Sequence, residues 1–351
     1  MAVITFAKAI NEALIEAMTI DQNVICYGLG VPDQKGVFGT TVGLQERFGS
    51  GRVFDMPTAE NAMTGIGIGA ALYGLRPILT HQRLDFALLS MDQLVNNAAK
   101  WRFMFGGKRG VPLTVRMILG RGWGQGPTHS QNLQAWFAHV PGLKVVMPTT
   151  AEDAKGLLLS SIFDPDPVIF LEHRWLHNLK GDVPAGDYRI PIGKARQLRE
   201  GKDITVVSMS YMTIEAIHAL DYLESKGISC DLVDLRSVRP IDWDLIKTSV
   251  CKTGRLLVLD TGNRTGSVSG EIVARVAHDC WDSLSAAPQR LAMPDYPEAT
   301  SPALTERYHI RAEHIAKSIC SMMGCHIDLA QFAQQRVHPH DVPGDWFLGP
   351  F

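Results

Sequence analysis

Three glycines at alternate positions, Gly65, Gly67 and Gly69, follow Glu60 in a stretch with helical spacing. Lacking a Cβ, such a helix can bring its backbone close to a neighbouring segment or to a ligand, and plain helix packing is the simpler use. Glu60 itself falls just inside the start of that helix, where an acidic side chain complements the positive end of the helix dipole. A dinucleotide-binding turn needs Gly-x-Gly-x-x-Gly after a strand. Gly28-Leu29-Gly30 has Asp33 where the third glycine belongs, so a nicotinamide-binding Rossmann domain is disfavoured. There is no Walker phosphate loop and no Gly-x-Ser-x-Gly elbow. Near the end, His326, His338, His340 and Asp341 are metal-ligand types, but Pro339 splits two of the histidines and no Cys or carboxylate spacing completes a tetrahedral set. Structural or solvent-facing roles are expected for them, and His139, deep in a helical pattern, is expected to be structural.

These residues sit in an alternation of helical patterns and short apolar runs. Helices are expected over residues 6–18, 58–73 and 91–105, and strands over 23–27, 53–54, 77–80, 112–119, 143–147 and 167–171. Such alternation predicts a parallel sheet covered on both faces. Between 181 and 202 the texture turns to Gly, Pro and scattered charges and reads as a linker. A second cycle follows, with strands at 204–208, 230–235 and 256–260 and helices at 212–225, 243–250 and 270–277. The expected architecture is α/β, with two doubly wound domains: 1–180, a smaller one over 203–323, and an extended arm over 324–351.

Composition narrows the class further. The 351 residues are 46% hydrophobic and 20% charged, enough for a packed core. With 34 Lys+Arg against 36 Asp+Glu and no basic stripe, nucleic acid is not an expected partner. Six cysteines without a Cys-x-x-Cys pair read as buried thiols rather than a disulfide scaffold. No segment reaches 18 uncharged apolar residues and no signal-peptide pattern opens the chain, so no membrane role and a cytoplasmic location are expected.

Three longer segments carry a resemblance. They are Arg52 to Glu60 leading into the glycine-spaced helix, Gln82-Arg83-Leu84-Asp85-Phe86 with the stretch Asp92 to Lys100, and His129-Ser130-Gln131 with Ala135 to Val146. Together they resemble the β subunit of the thiamine-diphosphate-dependent 2-oxo acid dehydrogenase E1 component (pyruvate or branched-chain type), within the transketolase-like superfamily. The resemblance implies an N-terminal pyrimidine-binding domain and a transketolase C-terminal-type domain. It implies that Glu60 meets N1′ of the aminopyrimidine. A carboxyl sharing its proton there favours the imino tautomer, whose N4′ removes the C2 proton of the thiazolium and leaves the nucleophilic ylide. It also implies that Phe86 stacks on the pyrimidine, that Gln82 lies near the cofactor, and that His129 stands in the active-site channel as a proton donor.

The same resemblance implies a partner. The superfamily holds the diphosphate through Mg²⁺ with a Gly-Asp-Gly segment, and this chain has none: Gly181-Asp182-Val183 and Gly186-Asp187-Tyr188 both fail. An α subunit is expected to supply that half, giving an α2β2 heterotetramer that acts on a small 2-oxo acid and passes the acyl unit to a lipoyl carrier on E2. Some members hold a structural potassium ion through carbonyls near the segment from Ser161 to Asp166, which contains Asp164, with Asp166 standing where Asn is common. Two departures bear on substrate. Gly28-Leu29-Gly30-Val31 stands where the family commonly has Gly-Glu-Asp-Val, and His81 and Arg83 replace apolar neighbours, bringing cation-capable groups toward the substrate. Other readings are an acyloin- or ketol-transferring synthase of the same chemistry, and a catalytically silent scaffold partner.

Overall fold

The computed structural model describes residues 1–349. Its main layer is a 7-stranded sheet, ordered Ser237–Arg239, Lys144–Val146, Val168–His173, Thr114–Leu119, Arg76–His81, Val24–Tyr27 and Val53–Phe54. Every pairing is parallel except at one edge, where Ser237–Arg239 runs antiparallel to Lys144–Val146. The central strands Thr114–Leu119 and Val168–His173 are buried at all six positions each, as expected of strands covered on both faces. A 5-stranded sheet follows, ordered Gln289–Met293, Leu256–Asn263, Ile204–Ser208, Cys230–Asp234 and Arg196–Arg199. The two sheets, with helices on their faces, are the α/β arrangement expected.

Local chemistry explains several helix starts. Helix Phe6–Ile20 opens where the Thr5 hydroxyl accepts from the Lys8 amide. Helix Glu60–Leu72 has no side-chain cap from Ala59 and instead carries Glu60 in its first turn. Gly67 lies where a Cβ would run into the Tyr27 hydroxyl, which donates to the Met63 carbonyl at 2.9 Å. That glycine therefore serves packing of the helix on the sheet.

Several expectations are corrected. The first residues form a strand, Ala2–Thr5, pairing antiparallel with Lys180–Val183, so part of the stretch read as linker is ladder. Another part, Arg196–Arg199, is the edge of the second sheet. Ser237–Arg239, from the second half of the chain, completes the first sheet. The helix expected over 91–105 is a π-helix, Gln93–Ala98, followed by Ala99–Met104. Among the described residues no helix is long and apolar enough to cross a membrane.

Candidate active site

Val24–Tyr27 has Val53–Phe54 on one side and Arg76–His81 on the other, so the winding of the chain reverses between neighbouring parallel strands. Loops leaving such strands part and open a crevice beyond their carboxyl ends, the usual ligand position in open α/β sheets. Four loops meet there, after Tyr27, Phe54, His81 and Leu119. They are stitched together. Asp55 Oδ1 accepts from the Gly30 amide at 3.0 Å and from Met56 at 2.8 Å, and Gln82 Nε2 donates to the Leu29 carbonyl at 3.1 Å. Gly28, at φ 155°, lies so close to strand Arg76–His81 that a Cβ would meet the Thr80 carbonyl oxygen.

Glu60 stands at the edge of this crevice and is 6% exposed. Its backbone carbonyl accepts from Thr64 Oγ1, but its carboxylate has no hydrogen-bond or ion-pair partner among the described residues. The residue is buried overall, yet neither carboxylate oxygen is among the polar atoms sealed from solvent without a partner, so a ligand that brings its own donor can reach it. Phe86, on the short helix Leu84–Ala87, and His129 come together with ring centroids 5.3 Å apart and planes at 90°. His129 Nδ1 lies 3.0 Å from Thr128 Oγ1.

The loop bearing His129 is anchored by Asp85 and Gln125, to which the sequence alone assigned no role, and by Arg83, which it placed near the substrate. Asp85 Oδ1 accepts from Gln131 Nε2 at 2.8 Å and from the Gln131 amide at 3.4 Å, and burial pushes the Asp85 carboxyl up from its ordinary range. Arg83 donates to the Gly120 carbonyl at 2.8 Å and to Gln125 Oε1. Burial lowers its guanidinium to about 10, which leaves it charged near neutrality. His81 is different: burial pulls it down to about 4, so it is neutral at pH 7 and adds no cation beside a substrate. Of the two cations expected near the crevice, only Arg83 carries charge; its two Nη atoms hold the loop, while its buried Nε has no hydrogen-bond partner among the described residues. The local signal for these anchors was polar residues in a glycine-rich or apolar context, but their partners lie far along the chain.

In the segment of the expected potassium site, the Ile162 and Asp164 carbonyls accept from Arg76 at 3.2 and 3.4 Å. Lys144 Nζ lies 2.7 Å from both Asp164 oxygens, and Arg102 bonds Asp166, so two side-chain cations already balance the two carboxylates. In the tail, His340 Nε2 lies 2.8 Å from the Pro302 carbonyl, His338 pairs with Asp345 at 3.0 Å, and Asp341 pairs with Arg121 at 2.9 Å. His139 closes helix Gln134–His139, away from these loops. A small hollow of ≈ 340 Å³ beside His129 is lined by Pro127, Ser130 and Gln131 and, from the second sheet's side, by Tyr296, Glu298 and Tyr308.

Residues 2–179 match the family model of the transketolase pyrimidine-binding domain, and residues 193–315 match that of the transketolase C-terminal domain. The structure is similar to that of a split-gene transketolase, an inactive β4 tetramer, with a TM-score of 0.74 over 92% of this chain and 98% of that one. At 20% identity that is a likeness of fold. The fold is thus of the transketolase-like class. The chain is 43% identical over 309 residues to the 2-oxoisovalerate dehydrogenase β subunit of Bacillus subtilis, covering 88% of this chain and 94% of that one. It is 42% identical to the acetoin:2,6-dichlorophenolindophenol oxidoreductase β subunit of Cupriavidus necator, over 88% and 94%. Identity to the pyruvate dehydrogenase E1 β subunit of Rhizobium meliloti is 43%, over 85% of this chain and 65% of that one. The chain belongs to the family of E1 β subunits of thiamine-diphosphate-dependent 2-oxo acid dehydrogenases.

Proposed function

We propose that this chain forms the pyrimidine-side half of a thiamine diphosphate site shared with an α subunit, in an α2β2 E1-type enzyme that decarboxylates a 2-oxo acid and hands the acyl unit to a lipoyl carrier. The observation that carries the reading is Glu60, a residue 6% exposed at the start of the helix that follows strand Val53–Phe54, whose solvent-reachable carboxylate has no protein partner among the described residues. When bound, thiamine diphosphate supplies the carbanion chemistry by which a 2-oxo acid loses CO₂. Glu60 holds a proton at its carboxyl toward a ring nitrogen of the pyrimidine. Phe86 offers a ring face on the same side and Gln82 an amide beside the Leu29 carbonyl. His129, braced by Thr128 and facing Phe86, gives or takes a proton at the substrate oxygen. Gly-Asp-Gly is absent from the sequence, which supports an α chain holding the Mg²⁺ and diphosphate.

The test is Glu60→Gln in the complex reconstituted with its α partner, assayed on pyruvate, 2-oxoisovalerate and acetoin with and without a lipoyl domain. Turnover should be largely lost while assembly survives. Full activity of the variant would remove Glu60 from the chemistry, and activity independent of lipoyl domain would favour the synthase reading.

A further inference from the structure

The C-terminal segment, read from sequence as an extended arm, returns to the loop that carries His129. Arg121, at 1% exposure, opens that loop, and its guanidinium is shared between two distant parts of the chain. Nη1 donates to Glu298 Oε1 at 2.9 Å and to the Ala299 carbonyl at 3.0 Å; Nη2 donates to Asp341 Oδ2 at 2.9 Å and to the Thr300 carbonyl at 3.4 Å. Asp341 is itself held in place, because Arg311 bonds the carbonyls of His340 and Val342 on either side of it. Further on, Trp346 Nε1 donates to the Trp175 carbonyl at 3.0 Å, and Trp175 Nε1 donates to the Gly122 carbonyl of the same loop at 3.2 Å. Gly124 and Gly126 lie against Thr300 with no room for a Cβ at Gly126. The His129 amide then bonds the Gly126 carbonyl at 3.2 Å.

We propose that residues 337–349 are a strap that sets the position of His129 through the Asp341–Arg121 pair, making Arg121 and Asp341 positioning residues for the reaction. The matched C-terminal domain model ends at residue 315, ahead of the strap. The physical reason is directional. Arg83 and Asp85 hold the loop from the first sheet's side. A guanidinium fork bonded to carboxylates from two other segments fixes it from the opposite side. Without Asp341, Glu298 still neutralises Arg121, so the loop keeps its charge balance and loses one of its two anchors.

The effect on turnover rests on the function proposed above; the effect on loop motion does not. In the α-reconstituted complex, a chain ending at Arg336 and the point variant Asp341→Asn should both assemble. Amide exchange across 120–131 should quicken about tenfold in each, with no cofactor needed for the measurement. kcat at saturating substrate should fall about tenfold, because a small misplacement of a proton-transfer group is costly, while cofactor affinity holds, and Asp341→Glu should recover most of it. Where the truncated chain fails to fold, Asp341→Asn carries the test. Unchanged exchange across 120–131 overturns the strap, and so does a lower melting temperature with kcat per folded site intact.

Discussion

Acid should unfold this protein through three histidines behind the candidate site. His81, His173 and His177 are buried in or just after the central strands, and burial pulls them from 6.5 to about 4, about 3 and about 4. Each is neutral in the folded chain and takes a proton in the unfolded chain below 6.5. Their contribution to stability is whole above that pH and is lost as the pH falls toward 4. Asp234 acts in the opposite sense. Burial raises it from 3.8 to about 7, so across that window the folded chain holds a proton that the unfolded chain gives up. Near pH 5 the unfolded state therefore binds roughly two more protons than the folded one, a slope of about 3 kcal/mol per pH unit. Asp85, raised by burial, and His309, lowered by burial, oppose each other and leave the sign unchanged. For Glu172, burial raises the carboxyl but Arg116 overrides it, so its loss belongs to lower pH. Urea unfolding followed by circular dichroism at constant ionic strength, in steps from pH 7 to 5, measures the slope. His173→Gln should lower it by about 1 kcal/mol per pH unit. Stability flat or rising on acidification, or a slope unmoved by His173→Gln, would refute the reasoning.

Two further outcomes are expected. Arg116 and Glu172 are both fully buried and bonded twice, at 2.7 and 3.0 Å, so Glu172→Leu should cost about 3–5 kcal/mol by stranding a buried guanidinium, and adding Arg116→Met should restore most of it in a double-mutant cycle. Phe86→Ala should weaken thiamine diphosphate binding by about 1 kcal/mol, read as roughly a fivefold higher dissociation constant by tryptophan quenching in the α-reconstituted complex, with the melting temperature nearly unmoved because Phe86 is only half-buried.

The fold was legible where periodicity is strong. Strand Val24–Tyr27 is a continuous apolar run, strand Leu256–Asn263 opens on one, and Thr5 before Phe6–Ile20 is a recognisable cap. It was not legible where pairing decides structure. Ala2–Thr5, Arg196–Arg199 and Ser237–Arg239 are short and partly polar, and each becomes a strand only because a distant strand offers its backbone. The candidate site divides in the same way. Glu60, Phe86 and His129 could be named from their surrounding strings. Asp55, Asp85, Gln125 and Arg121 could not, because what they do depends on partners as far as 220 residues away.

Charge state divides in the same way again. His81 and Arg83 look alike in sequence as groups able to hold a proton, yet burial makes one neutral and leaves the other a cation engaged by the Gly120 carbonyl and Gln125. Asp164 and Asp166 have oxygens suited to a metal ion, and Lys144 and Arg102 take them. The order of residues determined which chemical groups the chain owns and which local elements carry them, because caps, periodicity and glycine placement act within a few positions. Tertiary structure decided which groups stay unpaired and which are charged. Desolvation and ion pairing depend on what packs around a side chain, and here that comes from the far ends of the chain.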